Sequence, residues 1–290
     1  MAAEVIDGKA VAARVRAEVA SEVSELVAET GRTPGLATVL VGDDPASAVY
    51  VAGKRKASAE VGIADLHHHL ATGVPEAHVA ALLAELNRDP EVSGILLQLP
   101  VPDYMDGAAL TAAIAPDKDV DGLTPINAGR LAQGVPGLRP CTPLGIIELL
   151  DTCGVELEGA EAVVVGRSNL VGKPIAAMLL ERNATVTHCH SRTRDLAAVC
   201  ARGDVLVAAV GVPALVGSAH VKEGAAVIDV GISRTEAGLR GDVDFETASA
   251  RARLITPVPG GVGPMTIAML LRNTVSAFRL QALPRSPVTR

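Results

Sequence analysis

Residues 163–180 read VVVGRSNLVGKPIAAMLL: three β-branched apolar residues, a turn carrying Gly166 and Gly172, and an apolar helical pattern opening near Pro174. A strand that turns directly into a helix aims the unpaired N–H groups of the first helical turn past the strand's end, the geometry that holds a dinucleotide's phosphates. The turn departs from GxGxxG, because Ser168 stands where the second glycine belongs and the helix glycine is Gly172. On this segment alone, a tight strand–helix turn without a ligand stays open as an alternative.

The following strand, ATVTHCHSRT (184–193), supplies a second requirement. A dinucleotide site contacts the adenosine ribose at the end of this strand, and an NAD site places Asp or Glu there. Here the strand ends in Ser191 and Arg192, with Arg167 in the turn itself. Two guanidiniums and a hydroxyl suit a 2′-phosphate, and no carboxylate is present to repel it. The pattern therefore predicts NADP, against the alternative that Arg192 and Arg194 merely solvate a loop.

Outward from this segment the chain alternates strand and helix. DVLVAAVG (204–211), AAVIDVG (225–231) and ARLITPVP (252–259) continue it downstream. Upstream, helical spacing over Gly8–Glu29 is followed by the apolar run LATVLV (36–41). Next come a helix from Asp44 to about Val61, capped by Asp44 with Pro45 at its first position, a strand near His67–Leu70, a helix over Pro75–Asn87, and GILLQLPVP (94–102). Alternation of this kind means βαβ units and parallel sheets, an α/β fold. Residues 116–145 hold five Pro and five Gly, a long loop-rich stretch that reads as either functional or a domain junction. A helix is expected next, near Gly145–Cys153. Two domains are expected, over 1–140 and 141–264, with the segment from about 265 to 290 packing back on the first and its helix near Pro264–Leu280.

Composition narrows the function classes. Lys and Arg total 26 against 33 Asp and Glu, a formal net charge of −7, so there is no global basic field for nucleic acid or anionic membranes. Tyr50, Tyr104, Phe245 and Phe278 are the only aromatics, too few for base-stacking platforms. No apolar run reaches the roughly 18 residues of a membrane span. Glu4 and Asp7 precede any apolar h-region, so no secretory leader is read and a cytoplasmic location is expected. Cys141, Cys153, Cys189 and Cys200 lack CxxC spacing and read as buried reduced thiols.

Several residue sets in the first half carry chemistry. Tyr50 and Lys54 are i and i+4 on one helix face; the alternative is a solvated basic face formed with Arg55 and Lys56. Gln98 stands at the carboxyl end of an apolar strand, where open α/β sheets place ligands and where an amide oxygen can accept a proton from a Lys amine. It reads equally as a satisfied polar residue at a strand end. Asp119 and Asp121 lack a third acid or His at regular spacing, so a metal pair has no support and an Asx-turn is the plain alternative. His67, His68 and His69 alternate faces in a strand and cannot share one ion. His188 and His190 share a face without further ligands. The loop TPVPGGVGPMT (256–266) offers bare backbone at Gly260, Gly261 and Gly263 for close approach by a ligand, or forms a tight connection only.

Together GDDPAS (42–47), YVAGKRKASAEVGI (50–63), GILLQLPVP, PDKDVDGLTPINAGRL (116–131), PCTPLGIIELL (140–150), VVVGRSNLVGKP, the ATVTHCHSRT strand and TPVPGGVGPMTIAMLLRNT (256–274) resemble the bifunctional methylenetetrahydrofolate dehydrogenase/methenyltetrahydrofolate cyclohydrolase family, in family order. The resemblance implies two α/β domains flanking a cleft, the C-terminal one Rossmann-like, with NADP, tetrahydrofolate derivatives as substrates, a homodimer and no metal. It implies Lys54 as acid/base held by Gln98, Tyr50 stacked on the aminobenzoyl group, Asp121 on the pterin edge, and Gly260 and Gly261 beside the substrate. Gly166, Arg167, Ser168, Ser191, Arg192 and Ile232 fall to the dinucleotide. Leu123 and Thr124 depart from the family's usual DGFHP. YxxxK also occurs in short-chain carbonyl reductases, but there the Tyr follows the glycine turn, whereas Tyr50 precedes Gly166. That reductase and a catalytically silent folate-binding paralogue stand as the competing readings.

Overall fold

The computed structural model describes residues 3–236 and 238–282, and these divide into two compact units. One comprises the described residues of Met1–Ala13 and Thr142–Thr266; the other comprises Arg14–Cys141 and those from Ile267 onward.

The chain opens with β1 (Glu4–Val5) and α1 (Gly8–Thr30). Asp7 starts this helix, its Oδ1 accepting the N–H groups of Lys9 and Ala10 at 3.0 Å each. There follow β2 (Gly35–Val41), α2 (Pro45–Glu60), β3 (Ala64–Leu70), α3 (Glu76–Arg88), β4 (Gly94–Leu97), α4 (Gly107–Ala112) and α5 (Pro125–Ala132). Strands β3, β2 and β4 form a parallel three-stranded sheet in that order. Its central strand β2 is buried along its whole length, as its mostly apolar sequence suits, and the one buried hydroxyl, Thr38, pairs with His67 at 2.9 Å. Val79, Leu83 and Leu86 of α3 pack on Ala37, Val39, Ile95 and Leu97 to make the core of this unit.

The loop-rich reading of 116–145 is corrected: α5 lies inside it. Thr124 caps that helix by accepting the N–H of Asn127, and Pro125 occupies the first turn, where its missing N–H is not needed. The expected start of the next helix moves too, since α6 spans Cys141–Thr152 and takes Pro143 into its first turn.

The second half continues through β5 (Glu161–Val165), α7 (Gly172–Glu181), β6 (Thr185–Cys189), α8 (Leu196–Cys200), β7 (Val205–Ala208), β8 (Ala226–Asp229), the hairpin strands β9 (Ser233–Thr235) and β10 (Gly238–Arg240), α9 (Phe245–Ser249), β11 (Leu254–Ile255) and α10 (Val262–Ala282). A parallel six-stranded sheet runs β1-β11-β8-β7-β5-β6. Its core gathers Val163, Val165, Leu206, Ala208, Val227 and Ile255.

An expected boundary at residue 140 assigns residues 1–13 to the first half, whereas the structure groups Met1–Ala13 with the second. The cause is β1, whose Glu4 and Val5 pair in parallel with Leu254 and Ile255 of β11. At the other end, Asn273 Nδ2 donates to the carbonyls of Val120 (2.8 Å) and Arg139 (2.9 Å), and Gln281 donates to Ser93. Ile267 onward therefore clusters with the first half; residues 283–290 lie outside the described residues.

Candidate active site and dinucleotide site

In the unit built on β2, Asp44 caps α2 by accepting the N–H of Ser47 at 2.8 Å, and one turn separates Tyr50 from Lys54. Tyr50 is 52% exposed. Lys54 is partly buried and its Nζ donates to Gln98 Oε1 at 3.0 Å. Gln98 directly follows β4, and its Nε2 donates to the carbonyl of Leu99 at 2.6 Å, which leaves the amide oxygen directed at the lysine. Burial holds the Lys54 ammonium below its ordinary range, with Asp121 and Cys141 pulling the other way. Burial pushes the Asp121 carboxyl up; nearby Lys54 opposes this and Asp119 adds to it. A lysine whose ammonium form is disfavoured by burial gives up its proton more readily than an exposed one, which suits it to proton transfer.

Asp119 has a different task. Its carboxylate accepts from the N–H groups of Leu123 (3.1 Å) and Thr124 (2.8 Å) and from Asn127 Nδ2 (2.9 Å). It fixes the turn that presents Asp121, the Asx-turn alternative for this residue. Cys141 is a neighbour that residue spacing did not single out. Its buried thiol lies against Asp121, donates to the Val120 carbonyl at 3.2 Å, and has its pKa driven far up by burial and by Asp121. Asn273 reaches the same sulfur at 3.6 Å. No short-range signal marks either residue, because each meets Asp121 only through folding.

In the other unit, Gly166 leaves β5 with φ +124°, a backbone state that L side chains rarely adopt, and a Cβ there would overlap the carbonyl oxygen of Ala209. Gly172 is equally confined, since a Cβ on it would overlap the Gly166 carbonyl. Ser168 explains the departure from the second glycine. Its Oγ accepts the N–H groups of Val171 (3.1 Å) and Gly172 (3.3 Å), organising the start of α7 while its own hydroxyl hydrogen is left to donate.

Strands β5 and β6 lie side by side with Val165 opposite Cys189, so Arg167 and the pair Ser191–Arg192 leave neighbouring strands at the same end. A turn closed by His190 N–H to Thr193 Oγ1 (2.9 Å) and Thr193 N–H to the His190 carbonyl (2.8 Å) exposes Ser191 and Arg192. Among the described residues, the guanidiniums of Arg167 and Arg192 make no hydrogen bond or ion pair. Asp195, the nearest following acid, is occupied in capping α8. Backbone that can approach closely, a helix start and two free guanidiniums fit a phosphorylated dinucleotide.

His188 Nε2 donates to the Gly166 carbonyl at 2.6 Å, so it braces this turn. Ile232 is 48% exposed just past β8. Gly260 has φ +108°, and a Cβ on Gly261 would crowd Thr256 and the Pro257 carbonyl. Both glycines thus belong to the unit of the dinucleotide turn, in the loop preceding α10. Among the described residues no group of His, Cys, Asp or Glu is arranged to hold a metal ion, and no helix is long and apolar enough to cross a membrane.

These features define a two-unit α/β protein, with a strand–turn–helix of the dinucleotide-binding kind on one unit and a partly buried Lys54–Gln98 pair near Asp121 on the other. The chain belongs to the tetrahydrofolate dehydrogenase/cyclohydrolase family, matching its catalytic domain over residues 6–121 and its NAD(P)-binding domain over 140–282. It is 67% identical over 282 residues to the Bifunctional protein FolD 2 of Frankia alni, covering 97% of this chain and 98% of that one. Among solved structures, a bifunctional FolD dehydrogenase/cyclohydrolase from Campylobacter jejuni superposes with a TM-score of 0.94 at 47% identity, covering 96% of this chain and 99% of that one. The Trypanosoma brucei enzyme, complexed with NADP cofactor and an inhibitor, gives 0.92 at 40% identity over 98% of this chain and 100% of that one.

Proposed function

We infer that the chain oxidises 5,10-methylenetetrahydrofolate to the 5,10-methenyl form with NADP and hydrolyses that product to 10-formyltetrahydrofolate, working in the cytoplasm as a homodimer. The observation that carries the assignment of residues is the 3.0 Å hydrogen bond from Lys54 to Gln98 with Asp121 close by. NADP, when bound, supplies the hydride acceptor, and Arg167, Ser168, Ser191, Arg192 and Ile232 hold it.

The remaining chemistry falls to the chain. Asp121, an acceptor only when ionised, receives the adjacent ring N–H and amino groups of the pterin. Tyr50 offers its exposed ring to the aminobenzoyl group, and Gly260 and Gly261 let substrate approach bare backbone. Water attacks the methenyl carbon as neutral Lys54, oriented by Gln98, takes its proton. The lysine returns that proton to the ring nitrogen as the carbon–nitrogen bond breaks, and the remaining hydroxyl proton leaves to solvent as the formyl carbonyl forms. Purified protein given 5,10-methylenetetrahydrofolate and NADP is expected to yield NADPH, then methenyl and formyl products. Ketone reduction without them would favour the reductase reading, and no turnover the silent binder.

Two further results are expected. Catalytic efficiency with NADP exceeds that with NAD, by about tenfold or more for each charged contact to the 2′-phosphate, and equal efficiencies would reject the Arg167–Ser191–Arg192 cradle. Asp121→Ala raises the KM for folate and lowers both activities, at a cost of about 1 to 3 kcal/mol for the stranded pterin donors. NADP affinity stays nearly unchanged, because Asp121 is not in the dinucleotide unit. Unchanged folate KM with altered NADP binding would show that the role is misassigned.

A further inference from the structure

In the six-stranded sheet the chain passes from β5 to β6 on one side, then returns to β7 and β8 on the other. Open α/β sheets bind their ligands at the carboxyl ends of the two strands flanking such a reversal. Here those ends are Gly166–Arg167 after β5 and Ala209–Gly211 after β7, and they touch, since Gly166 lies against the Ala209 carbonyl. Ser168 organises the first end. The second lacks any such local device: after Ala209 N–H bonds the Val165 carbonyl at 2.8 Å, the sheet ladder stops.

What holds it is remote in sequence. The N–H groups of Val210 and Gly211 both donate to Asp242 Oδ2, at 2.6 and 2.9 Å. Asp242 is fully buried, and its Oδ1 has no hydrogen-bond partner among the described residues. These two amides are therefore the donors that compensate its burial, a strong demand on a buried charge. Asp242 is itself anchored. Its N–H donates to Asp229 Oδ1 at 2.8 Å, the N–H of Val243 donates to Asp229 Oδ2 at 3.0 Å, and Asp229 Oδ1 also accepts the N–H of Gly231, next to Ile232, at 3.0 Å. Side chains at 231 or 241 would collide with these carboxylates, so glycine stands at both. The paired aspartates thus tie the end of β7 to the end of β8.

We propose that Asp242 is a positioning residue of the dinucleotide site, its buried carboxylate holding the Val210–Gly211 turn, and through Asp229 the Gly231–Ile232 turn, in the form that receives the cofactor. The proposal rests on the reading of this unit as the NADP site. Loss of the clasp lowers the fraction of molecules with a competent turn, and the apparent affinity falls by that fraction.

The test uses the full chain, with NADPH affinity read by fluorescence, KM values by dehydrogenase assay, and hydrolysis of methenyltetrahydrofolate without cofactor as the control. Asp242→Ala should weaken NADPH at least tenfold, with folate KM and hydrolysis unchanged. Asp242→Asn, which keeps an oxygen facing the turn but not the charge, should recover part of this and remain about fivefold weak. Should the Ala variant fail to fold, the Asn variant decides by the same readings. Folded variants with wild-type NADPH affinity overturn the proposal, as does a parallel loss of affinity and hydrolysis, the mark of a merely structural role. Absence of NADPH binding by the wild-type chain would instead sink the cofactor reading and the proposal with it.

Discussion

Lys54→Met is expected to separate the two reactions: hydrolysis of the methenyl substrate falls by about 10² to 10⁴, the usual worth of general acid–base assistance, while oxidation continues and methenyl product accumulates. Removing a hydride from the methylene carbon needs no base on the transferred atom. Hydrolysis must deprotonate the attacking water and later protonate a departing nitrogen. Lys54 is placed for this by its bond to Gln98, and burial lowers its pKa. Met keeps most of the aliphatic stem and is a good helix former, so α2 should persist. The wild-type hydrolytic rate should rise with pH as Lys54 loses its proton, with a midpoint below the ordinary 10.5. Initial rates of methenyl hydrolysis across pH check both statements. Near wild-type hydrolysis by a folded Lys54→Met protein would remove Lys54 from the mechanism.

Gly166→Ala should disable the dehydrogenase and spare the hydrolase. The added methyl overlaps the Ala209 carbonyl, and φ +124° is unfavourable for any residue with a Cβ. Either the turn rotates or β5 and β7 separate at their ends, and each displaces the N–H groups on which the phosphates would rest. Backbone strain of this kind costs about 1 to 3 kcal/mol, before the overlap is counted. NADPH affinity is therefore expected to fall by about 10² or more. In the proposed mechanism cofactor-free hydrolysis uses Lys54, Gln98 and Asp121, which lie in the other unit, and should stay within a few-fold. Titration of NADPH against the variant, beside its hydrolysis rate, distinguishes this from global unfolding. Retained tight binding would mean that the Gly166 turn does not carry the phosphates.

Much of this was legible in the chain because the relevant physics is local. A β-branched run, a glycine that must take positive φ and a proline in the first helical turn announce a strand–turn–helix whatever surrounds them. Helical spacing puts Tyr50 and Lys54 on one face in the same way. Thr124 and Pro125 announce α5 too, but a helix of 8 residues inside a segment crowded with Gly and Pro is masked by its surroundings. The resemblance to the folate enzymes joined these local pieces into an ordered set.

Other features are settled by contacts between residues far apart in the chain, for which no short window carries a signal. Lys54 meets Gln98 across 44 residues, and Asn273 meets Val120 across 153. The two-residue strand β1 is too short to show a period, and only β11 gives it a partner and moves the first residues into the second unit. Asp242 reads in sequence as one more acid in a turn. Burial and the amides of Val210 and Gly211 that donate to it make it a clasp. The α/β class and the strand–turn–helix at Gly166 follow from local backbone preference, and the order of the motifs along the chain carries the resemblance to the family. The tertiary structure alone decided which carboxylates are buried and what each one holds, because the price of burying a charge is set by the donors that folding brings to it.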